Sequence, residues 1–144
     1  MMLPSLAIGG GLMALASLVP WVTVSSVGPF QSFADLTGID LGAGYVTLVA
    51  GLLTGILALI ALRAEPRSTR SALLIVGWAG LLTYAAFWVL PVIRVELLRA
   101  GIDVYDYYGR FSHAWGLVPG TIGSIVVVAV ATRIRAETNL ASMA

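Results

Sequence analysis

The densest group of chemically reactive side chains in this 144-residue sequence lies between residues 103 and 113. This segment combines two carboxylates, three phenols, one guanidinium and the single histidine of the chain. We single out eight candidate residues: Asp103, Tyr105, Asp106, Tyr107, Tyr108, Arg110, Phe111 and His113. Such a set is open to three kinds of chemistry, which are metal binding, nucleophilic catalysis and recognition of a partner protein.

Metal binding and catalysis are the weaker interpretations of this segment. His113 with Asp103 and Asp106 is a small ligand set, and no second histidine provides a repeated spacing. Ser112 and His113 are adjacent, so their side chains rarely converge on one point, and no nucleophile elbow surrounds them. We therefore predict no catalytic residue, no metal and no cofactor, and we expect the protein not to be an enzyme.

Membrane anchoring and protein contact are the remaining uses of the segment. Aromatic residues concentrate at the membrane–water interface, whereas Tyr, Trp and Arg carry much of the binding energy at protein–protein contacts. Our leading hypothesis is an accessory or structural subunit that contacts a partner membrane protein through its outer loops, especially Ile102–His113.

The composition places these residues in a membrane protein. Of the chain, 59% is hydrophobic and 10% is charged, against about 45–50% and about 25% in soluble domains. There is no cysteine, so neither a disulfide nor a thiolate metal site is available. The eight basic residues are all Arg and scattered, which excludes a nucleic-acid stripe. The Arg bias also indicates a GC-rich prokaryotic source.

Four apolar segments are long enough to cross a bilayer as helices. About 20 consecutive apolar residues are needed. The segments that qualify contain no Asp, Glu, Lys or Arg, and they span residues 3–24, 41–62, 71–93 and 114–132. The sequence therefore predicts an all-α, integral membrane four-helix bundle that forms a single domain over residues 1–144 and contacts the lipid bilayer.

The distribution of Arg predicts the orientation of this bundle. The turn 63–70 and the tail 133–144 hold five Arg, and the connections 25–40 and 94–113 hold three. Because Arg is retained on the cytoplasmic side, we expect the turn and both termini on the cytoplasmic side of the plasma membrane. The two connections are then expected on the outer side. Three Trp residues fall at the predicted outer boundary, where an aromatic belt is expected: Trp21, Trp88 and Trp115.

Small residues spaced four apart predict where the helices pack. Six such positions lie in the second and fourth spans: Thr47, Gly51, Gly55, Gly116, Gly120 and Ser124. Ordinary packing within the bundle is favoured over homodimerisation through Gly51 and Gly55, because every span carries small residues. An alternative function is a small oligomeric channel or carrier, for an ion or a neutral solute, built on these faces. The lack of ionisable residues within the spans argues against a carboxylate-coupled transporter.

Two stretches of the sequence resemble each other. LVAGLLTGI at 48–56 and LVPGTIGSI at 117–125 are offset by 69 residues, which aligns Gly51 with Gly120. A duplication would make the bundle two parallel helical hairpins, whereas coincidence among common apolar residues is equally open. In general shape the chain resembles small four-span membrane proteins of high-GC bacteria and archaea, which share Pro-Trp at the end of the first span, here Pro20-Trp21. That resemblance implies no activity.

Overall fold

The computed structural model describes residues 2–26, 33–63, 66–89 and 109–141. These residues contain four helices: α1 (Met2–Ala16), α2 (Gly44–Arg63), α3 (Pro66–Trp88) and α4 (Leu117–Ala141). Helix α1 packs against α2 and α4, and α3 packs against the same two helices. The predicted four-helix bundle is therefore confirmed.

Three of the helices are long and apolar enough to cross a membrane. The apolar windows are Gly44–Ala61 in α2, Thr69–Trp88 in α3 and Leu117–Ile134 in α4. At a rise of about 1.5 Å per residue these windows approach the ~30 Å hydrocarbon thickness. Large apolar side chains cover their outer faces, for example Ile75 at 70% exposure. Such a surface fits contact with lipid.

Helix α1 ends earlier than the predicted first span, which ran to residue 24. The helix stops at Ala16, a turn follows, and Pro20 begins a strand, β1 (Pro20–Ser26). Proline provides no backbone N–H for a helix and disfavours helical geometry in the residue before it. The β-branched run from Val22 to Val24 favours extended backbone. The prediction of a continuous helix over residues 17–24 is wrong for these reasons.

A small antiparallel sheet, which the sequence analysis did not predict, covers one end of the bundle. Strand β1 lies between β2 (Phe33–Thr37) and β3 (Gly109–His113). Thr23 of β1 pairs with Asp35 on one side and with Ser112 on the other. We call the three strands, with the adjoining residues 38–43 and 114–116, the sheet end. The sheet combines residues of the two connections, 25–40 and 94–113, that we expected on the same side of the membrane.

The buried core has two parts. Beneath the sheet lies an aromatic-rich cluster: Ala16, Trp21, Val22, Leu41, Tyr84, Phe87 and Leu117. The rest of the bundle is filled by smaller side chains: Leu6, Met13, Ala50, Ala58, Leu73, Val127, Val130, Ala131 and Ile134. Large rings thus support the sheet end. In the rest of the bundle, where the buried side chains are smaller, the helices approach one another closely.

Candidate functional site

Three buried aromatic rings form the floor of the sheet end. The Trp21 ring centroid lies 5.0 Å from that of Tyr84 and 5.0 Å from that of Phe87, in tilted and edge-on arrangements. The Trp21 Nε1 donates a hydrogen bond of 2.6 Å to the carbonyl oxygen of Ala16, at the end of α1. Strand β1 is therefore attached to the bundle through a side chain that is 0% exposed.

This burial changes the expected aromatic belt. Trp21 is fully enclosed, so its predicted place at the membrane interface is wrong. Trp88 and Trp115 are 43% and 64% exposed, and both lie next to the sheet. A Trp one residue after Pro20 enters the core because the chain turns back across the bundle at that point.

A group of buried hydroxyls adjoins the aromatic floor. The Tyr84 hydroxyl and the Ser17 hydroxyl both donate to the carbonyl oxygen of Met13, at 3.1 and 3.0 Å. The Ser17 and Thr47 hydroxyl oxygens are 2.7 Å apart and share a hydrogen bond. These bonds join α1, α2 and α3 within a region where an unpaired polar group would cost several kcal/mol.

Four of the six predicted packing residues lie inside the bundle, and a fifth, Gly116, is buried at the sheet end just before α4. A Cβ atom on Gly51 would lie 2.6 Å from the Gly10 carbonyl oxygen, and one on Gly120 would overlap the Tyr84 ring. The Gly116 N–H donates to the Pro20 carbonyl oxygen at 3.0 Å. Thr47 and Ser124 are 0% exposed. Neighbouring segments of the same chain therefore cover these five positions, around which an oligomeric channel would have to form.

The sixth packing residue, Gly55, is open. A Cβ atom there would meet no other atom within 4 Å, and the same holds for Gly11 of α1. Both glycines line an apolar groove of about 630 Å³ between α1 and α2, together with Leu52 and Ile56. The lining side chains are apolar, so the groove fits contact with lipid.

The predicted partner-contact residues are described only in part. Asp103, Tyr105, Asp106, Tyr107 and Tyr108 lie outside the described residues. The structure describes the backbone of Arg110 and Phe111, which belongs to β3.

His113 is exposed, and its ring stacks on Trp88 with the centroids 5.0 Å apart and an interplanar angle of 32°. The Trp88 Nε1 also donates to the Thr121 hydroxyl at 3.2 Å. The last residue of α3 and the last residue of β3 therefore lie side by side.

Two exposed carboxylates at the sheet end are each paired with a threonine. Asp35 accepts a 2.7 Å hydrogen bond from the Thr23 hydroxyl across the β1–β2 pair. Asp40 accepts from the hydroxyl and the backbone N–H of Thr37, at 2.7 and 2.9 Å. These two bonds lower the pKa of Asp40, because they favour its ionised form. Within the described ranges, no group of three His, Cys, Asp or Glu is positioned to hold a metal ion.

The comparison with known proteins adds no family to this description. No protein-family model matches the chain, and no curated protein matches it either. The residues whose role sequence reasoning missed are those that support the sheet, above all Trp21 and Tyr84. Pro20 and the β-branched run after it were the signals for the strand.

Proposed function

We propose that this protein is an accessory subunit embedded in a membrane, and that it binds a partner membrane protein with its sheet end. The pairing of β1 with both β2 and β3 supports this proposal. Residues from two distant connections then form one continuous surface, in place of two separate loops. A surface that is ordered before binding loses less conformational entropy when a partner arrives.

The exposed groups at the sheet end are suited to recognition. Within the described residues, β2 and β3 are edge strands, each paired on one side only. Edge strands present backbone N–H and C=O groups that a partner strand can pair with. Trp115 and the His113–Trp88 stack add exposed aromatic surface beside β3. Aromatic residues of this kind carry much of the binding energy at protein contacts.

The candidate contact residues Asp103 to Tyr108 belong to the same proposal. In the chain they directly precede Gly109, the first residue of β3. We therefore assign the partner-binding role to the segment 103–113 together with the sheet.

Photo-crosslinking in native membranes tests this proposal. A photoreactive amino acid replaces Tyr107 in one variant and Tyr45 in a matched control. Tyr45 is 57% exposed and lies at the start of α2, at the same end of the bundle. We expect position 107 to form one discrete adduct with another membrane protein and position 45 to form none.

Co-purification in a mild detergent gives the second measurement. The unaltered chain should retain the crosslinked partner in a fixed ratio, and replacing Tyr105, Tyr107 and Tyr108 with Ala should release it. Replacing Tyr45 with Ala should leave the complex intact. Lipid adducts alone at position 107, or equal partner recovery with all variants, would overturn the proposal.

We also propose that the sheet end faces the outside of a plasma membrane and that the opposite end, where α2 ends at Arg63, faces the cytoplasm. The retention of Arg on the cytoplasmic side supports this orientation. Because the chain has no cysteine, single Cys variants report it directly. A membrane-impermeant thiol reagent should label Thr23→Cys in intact cells. It should label Ala141→Cys only after permeabilisation, and the reverse pattern would refute the orientation.

A further inference from the structure

We propose that the end of the bundle opposite the sheet binds the phosphate of an anionic phospholipid headgroup. We call the described residues 63, 66–70 and 133–135 the Arg end, and the binding groups are Arg63, Arg70 and Arg133. This inference goes beyond the partner-binding role, because it concerns the other end of the molecule and needs no partner protein.

The helix register brings Arg70 and Arg133 to the same level. Helices α3 and α4 run antiparallel, and the close contacts between them pair Gly80 with Ser124 and Tyr84 with Gly120. The same register places Arg70 opposite Ile134, which is the residue after Arg133 in the chain. Leu73 and Ile134 share one buried cluster, which agrees with this placement.

Arg63 reaches the same end because it is the last residue of α2, and α3 begins at Pro66. The two helices are therefore joined within three residues of Arg63. Arg63 and Arg133 are both exposed.

All three guanidinium groups lie at the edge of the apolar region. Arg70 is the second residue of the apolar window Thr69–Trp88, and Arg133 is the last but one of the window Leu117–Ile134. Arg63 follows the α2 window by two residues. Long basic side chains at such positions extend to the headgroup level of a bilayer. Lipid phosphates occupy that level.

Arg70 is the side chain for which binding an anion costs the least additional desolvation. The residue is partly exposed, but its Nε is enclosed and has no hydrogen-bond partner among the residues that the structure describes. A guanidinium in this position has already lost part of its hydration, so pairing with a phosphate costs it less water than it costs a fully hydrated Arg. Guanidinium and phosphate also match in hydrogen-bond geometry.

The charge distribution directs an anion to this end. The segments 63–70 and 133–144 contain five Arg and two Glu, a formal charge of +3. The segments 17–43 and 89–116 contain three Arg and five acidic residues, a formal charge of −2. Anionic headgroups are attracted to clusters of basic residues beside membrane helices.

Native mass spectrometry of the full chain in an uncharged detergent tests the proposal by counting bound lipids during titration. The probes are phosphatidylglycerol and, as the zwitterionic reference, phosphatidylcholine. We expect preferential binding of phosphatidylglycerol and an affinity at least about fivefold lower in Arg70→Gln, the factor expected for loss of one Arg at a charged surface. Arg99→Gln, which removes the same charge from the connection between α3 and β3, should bind like the unaltered chain.

Two further measurements keep the result decisive. Arg133→Gln should also weaken binding, and it stands in for Arg70→Gln if that variant fails to fold. Inorganic phosphate at millimolar concentration should not displace the lipid. Equal binding of the two lipids, equal losses in the Arg70 and Arg99 variants, or displacement by free phosphate would each overturn the assignment to a lipid headgroup.

Discussion

Gly10 of α1 and Gly51 of α2 bring two helix backbones into contact, because a Cβ on Gly51 would lie 2.6 Å from the Gly10 carbonyl oxygen. In lipid, where expulsion of water does not drive helices together, such close approach allows extensive van der Waals contact. The contact also sets the distance between α1 and α2, and hence the position of Ser17 beside Thr47.

The first prediction compares the two glycines of α2. Gly51→Ala should destabilise the bundle by about 1–3 kcal/mol, since the added methyl group must push two backbones apart. Gly55→Ala is the matched control, because its Cβ meets nothing within 4 Å, and it should be neutral or slightly stabilising. Unfolding in mixed micelles with increasing dodecyl sulfate measures both. Equal losses of stability would contradict the assignment of Gly51 to the α1–α2 contact.

The second prediction concerns the indole that attaches β1 to α1. Trp21→Phe keeps a ring in the aromatic floor but removes the hydrogen bond to Ala16, and it should cost about 1–3 kcal/mol of stability. Trp88→Phe removes a bond between exposed groups and should cost much less. The midpoints of thermal unfolding in the same detergent compare the two variants. A larger loss in Trp88→Phe would contradict the role of Trp21.

The third prediction is a pH dependence at the turn after β2. Because the folded state lowers the pKa of Asp40 from its usual 3.8, the ionised carboxylate contributes stability above that value. The contribution is lost as the pH falls through the lower, folded pKa.

Thermal unfolding of the unaltered chain and of Asp40→Asn checks this pH dependence. The unaltered chain should be the more stable near neutral pH, and the difference should vanish in strong acid. A difference that does not change with pH would show that the charge of Asp40 has no part in the turn.

The fourth prediction tests the sheet topology. Thr23 and Ser112 are cross-strand partners, so cysteines at both positions should form a disulfide under mild oxidation. The parent chain contains no cysteine, which leaves this pair as the only thiols. Cysteines at Thr23 and Thr132, which lie at opposite ends of the bundle, should stay reduced. Gel mobility with and without reductant reports the outcome, and no bridge between 23 and 112 would contradict the β1–β3 pairing.

The two glycines that the similar stretches align occupy corresponding places in the bundle. Gly51 faces α1, and Gly120, its counterpart at an offset of 69 residues, faces α3. Each glycine therefore packs against the helix that precedes its own, as two parallel hairpins require. The duplication itself stays a prediction, since common small residues at helix contacts produce the same arrangement.

The sequence by itself determined the class of the protein and the number of its helices. Apolar runs of about 20 residues cross a bilayer as helices, because a helix provides every backbone polar group with a partner inside the same segment. The sequence also located most of the small residues at which the helices meet, although Gly55 faces no neighbouring helix. These properties depend on local composition, which a chain carries without reference to its fold.

Only the tertiary structure decided which of those residues are buried. The spans are apolar on every side, so no polar stripe marks an outer face, and Gly51 and Gly55 look equivalent until α1 is in place. The sheet end likewise depends on pairing between Thr23 and Ser112, which are far apart in the chain. Cross-strand pairing and ring packing around Trp21 are properties of distant segments brought together, and local sequence patterns do not specify them.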